Sequence, residues 1–339
     1  MVTTGATSGQ KLRLGGAGQC QPSRIREGTR WLARVCRLGI YIEQDGQIPC
    51  HRILESALMR VGQNPLRSAS VQGFEKVFLA VITHLPNTTT AYHAKRMEVI
   101  QTCLQTMRDN AQMDATVIVW DNGSIPKLRN WLQDVYKPDI LILSHNVGKV
   151  TARTTIGRMA PPEAVIAFSD DDIYYERDWL RPQIELMNHF PNVACVSGYA
   201  VRTAFRWGVE NTLQWAKENA TLDMGMFIPR ERENDFAVSV GRDPKWHEDY
   251  TRDDVDYRVT YNGKTAYCTA HHCQFVTTGA VIAQINQYDN KAMGDEKPFD
   301  IWMDKIGLRL STIERLCRHI GNVLDDDMKI RQERELWQA

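Results

Sequence analysis

The feature that most constrains the fold is an alternation, from about residue 75, of short apolar runs with longer segments of helical periodicity. The apolar runs are rich in β-branched residues and predict strands at Lys76–Ile82, Ala115–Trp120, Asp139–Leu143, Ala164–Phe168 and Val193–Val196. Helices are predicted between them at 91–110, 126–136, 149–159 and 178–190. The alternation predicts an α/β fold, with a Rossmann-like, mostly parallel sheet flanked by helices. Strands buried on both faces are expected to be continuously apolar, as these are.

Composition excludes several classes of protein. The 339 residues carry 41 Lys+Arg and 41 Asp+Glu, so no net field attracts the chain to nucleic acid. No stretch approaches 18 uncharged apolar residues, so no transmembrane segment is predicted. The eight cysteines are scattered without a C-x-x-C pair, which favours reduced thiols and a cytoplasmic location.

Residues 1–70 are predicted to be an N-terminal extension. Its first 22 residues have the composition of a flexible tail, and short helices are predicted at 24–40 and 51–62. Residues 1–40 hold seven basic side chains and a single acid, Glu27. A basic, acid-poor terminus is typical of a transit peptide or of a peripheral membrane contact. The interpretation we favour is a tail followed by helices that pack on the main domain.

Polar residues follow four of the predicted strands. The sequences are Thr83-His84, Asp121-Asn122-Gly123-Ser124, Ser144-His145-Asn146 and Ser169-Asp170-Asp171-Asp172. In open α/β sheets, ligands bind just beyond the carboxyl ends of the strands. This edge of the sheet is therefore the predicted active site.

The acidic triplet 170–172 predicts a divalent cation. Adjacent carboxylates repel one another unless a cation or strong donors neutralise them. Asp170 and Asp172 point to the same side of an extended backbone, so they could share Mg²⁺ or Mn²⁺. The alternative is a turn or helix cap. We make that interpretation for the second triplet, Asp325–Asp327, because no strand precedes it and a charged helical segment follows.

Three segments together resemble a known family. VIVWDNGS, HNVGKVTAR and AVIAFSDDDIYYERDWL resemble the nucleotide-sugar half of glycosyltransferase family 2, which has the GT-A fold. The resemblance continues in MGDEKPFDIWMDKIGLRL and RHIGN, and spans roughly residues 75–323. It implies a nucleotide-sugar-binding half at 71–199 and an acceptor-binding half at 200–323. Residues 324–339 are predicted to form a C-terminal helix.

The resemblance assigns roles to residues on the donor side. Thr83 begins the loop that meets the nucleotide, and Asp121 matches the acid that accepts the uracil N–H, which favours a UDP-sugar. Asn146, Gly148 and Lys149 match the family's N-x-G turn. Lys149, with Arg153 one helical turn later, either faces phosphate oxygens or is a solvated charge. We leave both interpretations open.

The metal site is also implied by the resemblance. Asp170 and Asp172 match the D-x-D motif that holds Mn²⁺ or Mg²⁺ on the diphosphate, and Asp171 is expected to contact the ribose or the sugar. His319, in RHIGN, resembles a late histidine that completes the metal site in several GT-A enzymes. A rival constellation for zinc is Cys268-x-x-His271-His272-Cys273, although a strand would put half of these side chains on the wrong face.

The acceptor half contains a predicted hairpin and the expected catalytic base. An Asn-Gly turn inside YRVTYNGKTAYC predicts a β-hairpin, and Gln274–Ile282 is predicted to be a strand. The family's acidic pair appears in swapped order as Asp295-Glu296, so either residue is the predicted base and Asp300 is a third candidate. A purely structural interpretation is that Gly294-Asp295 caps the following helix.

The implied activity is metal-dependent transfer of a hexosyl group from a nucleoside-diphosphate sugar to a hydroxyl of a carbohydrate or glycoconjugate, with inversion. One alternative is a sugar nucleotidyltransferase, which would normally carry a glycine-rich loop after the first strand; ITHLPNTTT contains no glycine. The other is a non-catalytic protein that binds a nucleotide or a sugar.

Overall fold

The computed structural model describes residues 31–34, 41–44, 77–286, 296–322, 324–325 and 328. The chain divides into two units, residues 1–71 and 72–339. In the first, β1 (Trp31–Arg34) pairs antiparallel with β2 (Tyr41–Gln44). The helix predicted at 24–40 is therefore wrong over 31–34. The aromatic and β-branched pair Tyr41-Ile42 favours a strand, and its backbone pairing holds β1 extended. The predicted tail and the helix at 51–62 lie outside the described residues.

Ten of the described strands of the second unit form one sheet. They are β3 (Val77–Thr83), β4 (Thr116–Asn122), β5 (Ile140–Ser144), β6 (Val165–Asp170), β8 (Val193–Ser197), β9 (Thr221–Gly225), β10 (Asp256–Tyr261), β11 (Lys264–Tyr267), β12 (Gln274–Thr278) and β13 (Leu308–Ser311). Their order is β5-β4-β3-β6-β12-β8-β13-β11-β10-β9. A separate pair is formed by β7 (Ile173–Tyr175) and β14 (Cys317–His319).

The predicted α/β fold is confirmed, and all five predicted strands are present. β5, β4, β3 and β6 run parallel, whereas β12 is antiparallel to both of its neighbours, β6 and β8. β13 is parallel to β8, and β9 to β11 continue the sheet in antiparallel pairing. The two predicted halves of the main domain thus share one continuous sheet.

Helices connect the strands. They are α1 (Arg96–Asp109), α2 (Pro126–Trp131), α3 (Lys149–Met159), α4 (Leu180–His189), α5 (Glu210–Asn219), α6 (Arg230–Ser239), α7 (Pro244–Tyr250), α8 (Gly279–Ile282) and α9 (Glu296–Ile306). A π-helical turn at Leu132–Tyr136 extends α2, and a 3₁₀ turn forms at Arg202–Arg206. No helix among the described residues has the length and apolar character needed to cross a membrane.

The core lies on both faces of the central strands. Leu79 of β3 packs with Ile100 of α1 on one face, and its neighbour Ala80 packs with Ile156 of α3 and Phe299 of α9 on the other. Successive strand residues point to opposite faces, so each apolar run supplies both layers of the core. This is the physical reason that the runs lack alternation.

Two features of the acceptor half follow from local chemistry. The predicted hairpin joins β10 to β11 through Asn262 and Gly263, whose φ angles of 45° and 79° are those that a two-residue turn requires. The strand predicted at 274–282 ends at Thr278. There the Thr278 hydroxyl accepts a hydrogen bond from the backbone N–H of Val281, which caps the short helix α8.

Candidate active site

The carboxyl ends of the parallel strands form a cleft of about 140 Å³. Parallel pairing sets Thr83 of β3 beside Asp121 of β4 and Ile82 beside Asp170 of β6. Asp170, Asp171 and Asp172 all line the cleft, together with Arg96, Lys149 and His84. The structure therefore brings the acidic triplet and two cations to the edge that the sequence predicted.

Asp170 and Glu296 share the same two cations. The Nζ of Lys149 lies 2.8 Å from Oδ2 of Asp170 and 2.9 Å from Oε1 of Glu296. The guanidinium of Arg153 lies 2.6 Å from Oδ1 of Asp170 and 2.9 Å from Oε2 of Glu296. Each carboxylate oxygen thus faces a cation, and the four charges alternate in a closed cluster. Because α3 supplies both cations and α9 begins at Glu296, the cluster connects the two halves of the domain.

The charges of the cluster shift the pKa values of its own members, Glu296 and Lys149. Burial by itself would raise the pKa of Glu296, but the charges of Arg153 and Lys149 outweigh it and hold that pKa well below its usual range. Burial opposes the charged form of Lys149, yet Asp170 and Glu296 raise its pKa. Arg153 is fully buried, so it contacts Asp170 and Glu296 away from solvent. Of the two cations of the cluster, Lys149 is the one that lines the cleft.

Arg96 of α1 neutralises the other two acids of the triplet. Its guanidinium forms an ion pair with Oδ1 of Asp171 and lies 2.9 Å from Oδ2 of Asp172. The backbone N–H of His84 donates to Oδ2 of Asp171 at 2.9 Å. Protein cations and a backbone donor therefore relieve the repulsion that the sequence implied. Burial raises the pKa of Asp171 despite the charge of Arg96.

Asp172 and His319 lie together, as predicted for a metal site. The Nε2 of His319 is 3.5 Å from Oδ2 of Asp172, and its Nδ1 is 2.8 Å from the hydroxyl of Ser239. Burial opposes ionisation of Asp172, but His319 and Arg96 hold its pKa well below the usual range. The second oxygen, Oδ1, is buried and has no hydrogen-bond partner among the described residues. An ionised carboxylate with a free oxygen suits a hard divalent cation.

Asp121, the predicted contact of the base, is fully buried. Its Oδ2 accepts hydrogen bonds from Nε of Arg129 at 2.7 Å and from the backbone N–H of Ser124 at 3.2 Å. The Thr83 hydroxyl lies 3.4 Å from Oδ1. These contacts orient the carboxylate at the end of β4, next to Asn122, which lines the cleft.

The predicted N-x-G turn is tied to the end of β4. Oδ1 of Asn146 accepts from the side-chain amide of Asn122 at 3.1 Å and from the backbone N–H of Gly148 at 2.9 Å. Gly148 has φ 84°, a conformation that glycine adopts readily, and it precedes the first residue of α3. The turn therefore directs Lys149 toward the acidic triplet.

Of the acidic candidates for the base, Asp295 lies outside the described residues. Glu296 is in the charge cluster. Asp300 is buried, with Oδ1 2.7 Å from Arg309 and Oδ2 2.9 Å from Nδ1 of His272.

In the rival zinc constellation, the ligand atoms of His271, His272 and Cys273 lie within 4.8 Å of one another. Burial raises the pKa of the Cys273 thiol well above its usual range, however, which opposes the thiolate that zinc needs.

Sequence reasoning missed three residues of this site. Arg96 and Arg129 lie on helices, where a charged residue is by default solvated, and no local signal relates either of them to an acid on a strand. His272 was considered only as a zinc ligand. Its pairing with Asp300 joins residues 28 apart in the sequence.

The second acidic triplet, Asp325–Asp327, was predicted to be a turn or a helix cap. Its first residue makes a contact of that kind, since Oδ1 of Asp325 accepts a hydrogen bond from the backbone N–H of Met328 at 2.8 Å.

The large, mostly parallel sheet flanked by helices is consistent with the GT-A fold. More narrowly, residues 89–237 match the family model described as Glycosyl transferase family 2, which confirms the resemblance drawn from the motifs. The match supports a role in glycosyl transfer. It contains the triplet, Arg96 and Lys149, whereas Thr83 and Glu296 lie outside it.

No curated protein matches the chain. Among solved structures, the mannosyltransferase PcManGT from Pyrobaculum calidifontis, in complex with GDP-Man and Mn²⁺, is 20% identical over 40% of each chain, with a TM-score of 0.29. TarS residues 1–349 from S. aureus is 11% identical over 73% of this chain and 60% of that chain, with a TM-score of 0.40. The chain thus spans less than two thirds of either protein.

Proposed function

We propose that the protein is a metal-dependent glycosyltransferase that moves a hexosyl group from a UDP-sugar to a hydroxyl of a carbohydrate or glycoconjugate, with inversion. The observation that carries the proposal is the cleft lined by Asp170, Asp171, Asp172, Arg96 and Lys149 within the segment that matches the family. Carboxylates for a cation, together with cations for a diphosphate, are what such a donor requires.

The donor nucleotide would enter along the ends of β3, β4 and β6. Lys149 reaches the cleft and would attract the diphosphate. The preference for UDP rests on Asp121, since an ionised carboxylate accepts but does not donate and so selects a ring N–H. A uracil would share that carboxylate with Arg129 and Ser124, which already donate to it.

The cation would be Mn²⁺ or Mg²⁺, held by Asp170, Asp172 and His319. The unpartnered Oδ1 of Asp172 and the adjacent imidazole support this assignment, and an imidazole favours Mn²⁺ of the two. A divalent cation supplies charge that stabilises a leaving diphosphate. The protein's own residues hold Asp172 ionised for this purpose, through Arg96 and His319.

A thermal-shift titration tests the proposal. The purified chain would be heated with UDP, GDP, CDP or ADP, each with Mn²⁺ or with EDTA, because a ligand that binds only the folded state raises its stability. We expect UDP to raise Tm only with Mn²⁺. Asp172→Asn should lose the shift, and Asp249→Asn, a change on the exposed face of α7, should retain it. A UDP shift that is the same in EDTA would instead support a non-catalytic binding protein.

The location that we propose is the cytoplasm. Cys103, Cys195, Cys268, Cys273 and Cys317 are free and buried, which suits a reducing compartment such as the cytoplasm. The predicted membrane contact of the basic N-terminus lies outside the described residues, and it stays a prediction.

A further inference from the structure

A second pocket lies in the predicted acceptor half, between the start of α6, one side of α7 and the loop that joins β9 to α6. Its volume is about 380 Å³, which is within the range of sites that bind small molecules. Among the described residues, it shares no lining residue with the cleft that holds the acidic triplet. The donor site described above therefore leaves this pocket without a role.

One wall of the pocket is apolar. Its residues are consecutive in the loop between β9 and α6: Met226, Phe227, Ile228 and Pro229. Met226 is 59% exposed, so its apolar side chain is open to a ligand. Small-molecule sites are lined mainly by apolar side chains, with a few polar groups that fix the orientation of the ligand. This wall thus offers a surface on which the C–H face of a ligand can pack.

A buried ion pair fixes the shape of that wall. Arg202 and Asp256 are both buried, and Nε of Arg202 lies 3.0 Å from Oδ1 of Asp256. The second oxygen, Oδ2, accepts hydrogen bonds from the backbone N–H groups of Phe227 at 2.6 Å and Ile228 at 2.7 Å. The carbonyl of Ile228 in turn accepts from the Arg202 guanidinium at 3.2 Å. The wall is therefore formed before a ligand arrives, which lowers the entropic cost of binding.

The described residues of the pocket offer no unpaired charge to an ion. Each of the three arginines that line it is paired with a carboxylate: Arg202 with Asp256, Arg230 with Glu248 and Arg252 with Asp249. An anionic ligand would have to displace one of these carboxylates. The two acids that line the pocket are also occupied, since Glu233 lies 3.0 Å from Nε2 of His247 and Glu248 pairs with Arg230. We therefore expect the pocket to favour a neutral ligand.

Two polar side chains of the pocket have unused hydrogen-bonding capacity. Asn234 lines the pocket and is half-buried, and its side-chain amide has no hydrogen-bond partner among the described residues. His247 uses Nε2 for its contact with Glu233, while its buried Nδ1 is unpartnered in the part of the chain that the structure describes. An amide both donates and accepts, as a hydroxyl does. A free amide, an apolar wall and the absence of unpaired charge among these residues fit a neutral sugar, which carries hydroxyls around an apolar ring face.

The helix α6 separates the pocket from the candidate metal site. Glu233 and Asn234 line the pocket, whereas the ring of Phe236 packs edge-on against that of His319, with 6.0 Å between the centroids. The Ser239 hydroxyl also lies 2.8 Å from Nδ1 of His319. A helix with its side chains is about 10–12 Å across. A ligand in the pocket is therefore too far from a donor at the acidic triplet to be the unit that reacts.

We propose that the pocket binds a neutral sugar unit of the acceptor, and that this unit is not the one whose hydroxyl reacts. The inference rests on the proposed glycosyl transfer. Asn234 holds the sugar by hydrogen bonds to its hydroxyls, and Met226 packs on its ring. The acceptor is then an oligosaccharide or a longer chain, because a monosaccharide at the reacting position does not reach the pocket.

Binding is tested on the full chain without metal or nucleotide, so the result does not depend on turnover. The probes in ligand-observed NMR are maltotetraose, cellotetraose, mannotetraose and tetra-N-acetylchitotetraose, with tetragalacturonate as the anionic comparison. At least one neutral probe should bind, and tetragalacturonate should not. Asn234→Ala should weaken that binding about 10-fold, since it removes the free amide, and Met226→Ala should weaken it as well. Asn211→Ala, at an exposed position on α5, is the matched control and should bind as wild type does.

Kinetics with a donor that wild type uses distinguish an acceptor site from a regulatory site. Asn234→Ala should raise the KM for the bound tetrasaccharide about 10-fold and leave kcat, the donor KM and the UDP-dependent thermal shift unchanged. With the corresponding monosaccharide as acceptor, the variant should equal wild type. A change in kcat or in the donor KM with the monosaccharide would show an effector site and overturn the acceptor assignment.

Absence of binding by every neutral probe would overturn the proposal, as would equal binding by Asn234→Ala and wild type. The failure of the proposed function looks different. If wild type binds a tetrasaccharide through Asn234 but transfers nothing from any UDP- or GDP-sugar, the proposed glycosyl transfer fails. The pocket then remains a sugar site and loses its acceptor role.

Discussion

Arg153 and Glu296 are 143 residues apart in the sequence, yet a guanidinium nitrogen of the first lies 2.9 Å from a carboxylate oxygen of the second. The guanidinium is fully buried, so this contact is part of the interior. Because Arg153 also pairs with Asp170, it connects the first turn of α9 to the acidic triplet.

Replacing Glu296 by Ala should lower the free energy of unfolding by about 3 kcal/mol, since it leaves a buried guanidinium short of one counter-charge. Urea unfolding at neutral pH measures the change. Glu163→Ala is the control, because Glu163 is exposed and its loss should change stability by less than about 0.5 kcal/mol. Similar losses in the two variants would contradict the structural role of the ion pair.

The stabilisation by Glu296 should depend on pH. Its pKa is lower in the folded chain than in the unfolded chain, so the unfolded state takes up the proton first as the pH falls. The contribution is thus complete above the ordinary carboxyl pKa, near 4.5, and is lost as the pH falls through the lower folded value. Urea unfolding of wild type and Glu296→Gln between pH 7 and pH 3 should show a constant difference above about pH 5.5 and a shrinking one below pH 4.5. A difference that grows on acidification would reverse the sign of this argument.

Arg96 should be replaceable in part by a divalent cation. Arg96→Met leaves Asp171 and Asp172 without their shared guanidinium, which should lower the free energy of unfolding by about 3 kcal/mol. Added Mn²⁺ should raise Tm more in this variant than in wild type, because the freed carboxylate oxygens become ligands. Arg181→Met, a change to an exposed pair on α4, is the control and should show the wild-type shift. If Mn²⁺ raises Tm equally in all three proteins, the oxygens that Arg96→Met frees do not become ligands of the cation.

What the sequence predicts well is set by local patterns. The apolar runs locate the strands to within one or two residues, because burial on both faces leaves a signal in every residue of the run. The Asn-Gly turn and the acids at strand ends are equally local. Since parallel strands align their carboxyl ends, these signals place Asp121 and the triplet at one edge of the sheet.

The partners of those acids are not predictable in the same way. Arg96 pairs with Asp171 across 75 residues, and its place within a helix gives no sign of that partner. His272 pairs with Asp300 of α9, 28 residues later in the sequence, and no local pattern specifies that contact. The helix predicted over 24–40 was wrong at 31–34 for the same reason, since strand pairing is a relation between two segments.

Alanine substitutions at Gly123 and Gly263 distinguish the cost of backbone strain from the cost of a steric clash. Both have positive φ, 89° and 79°, so an Ala at either position should cost about 1–2 kcal/mol of folding free energy. A Cβ at Gly263 meets nothing within 4 Å, whereas one at Gly123 would lie 2.9 Å from the backbone nitrogen of Asn146. Gly123→Ala should therefore be the more destabilising change in urea unfolding. It should also weaken the UDP-dependent thermal shift by displacing the turn before Lys149, while Gly263→Ala leaves that shift unchanged. An equal effect of the two variants on the shift would show that the turn at 146–148 does not contribute to nucleotide binding.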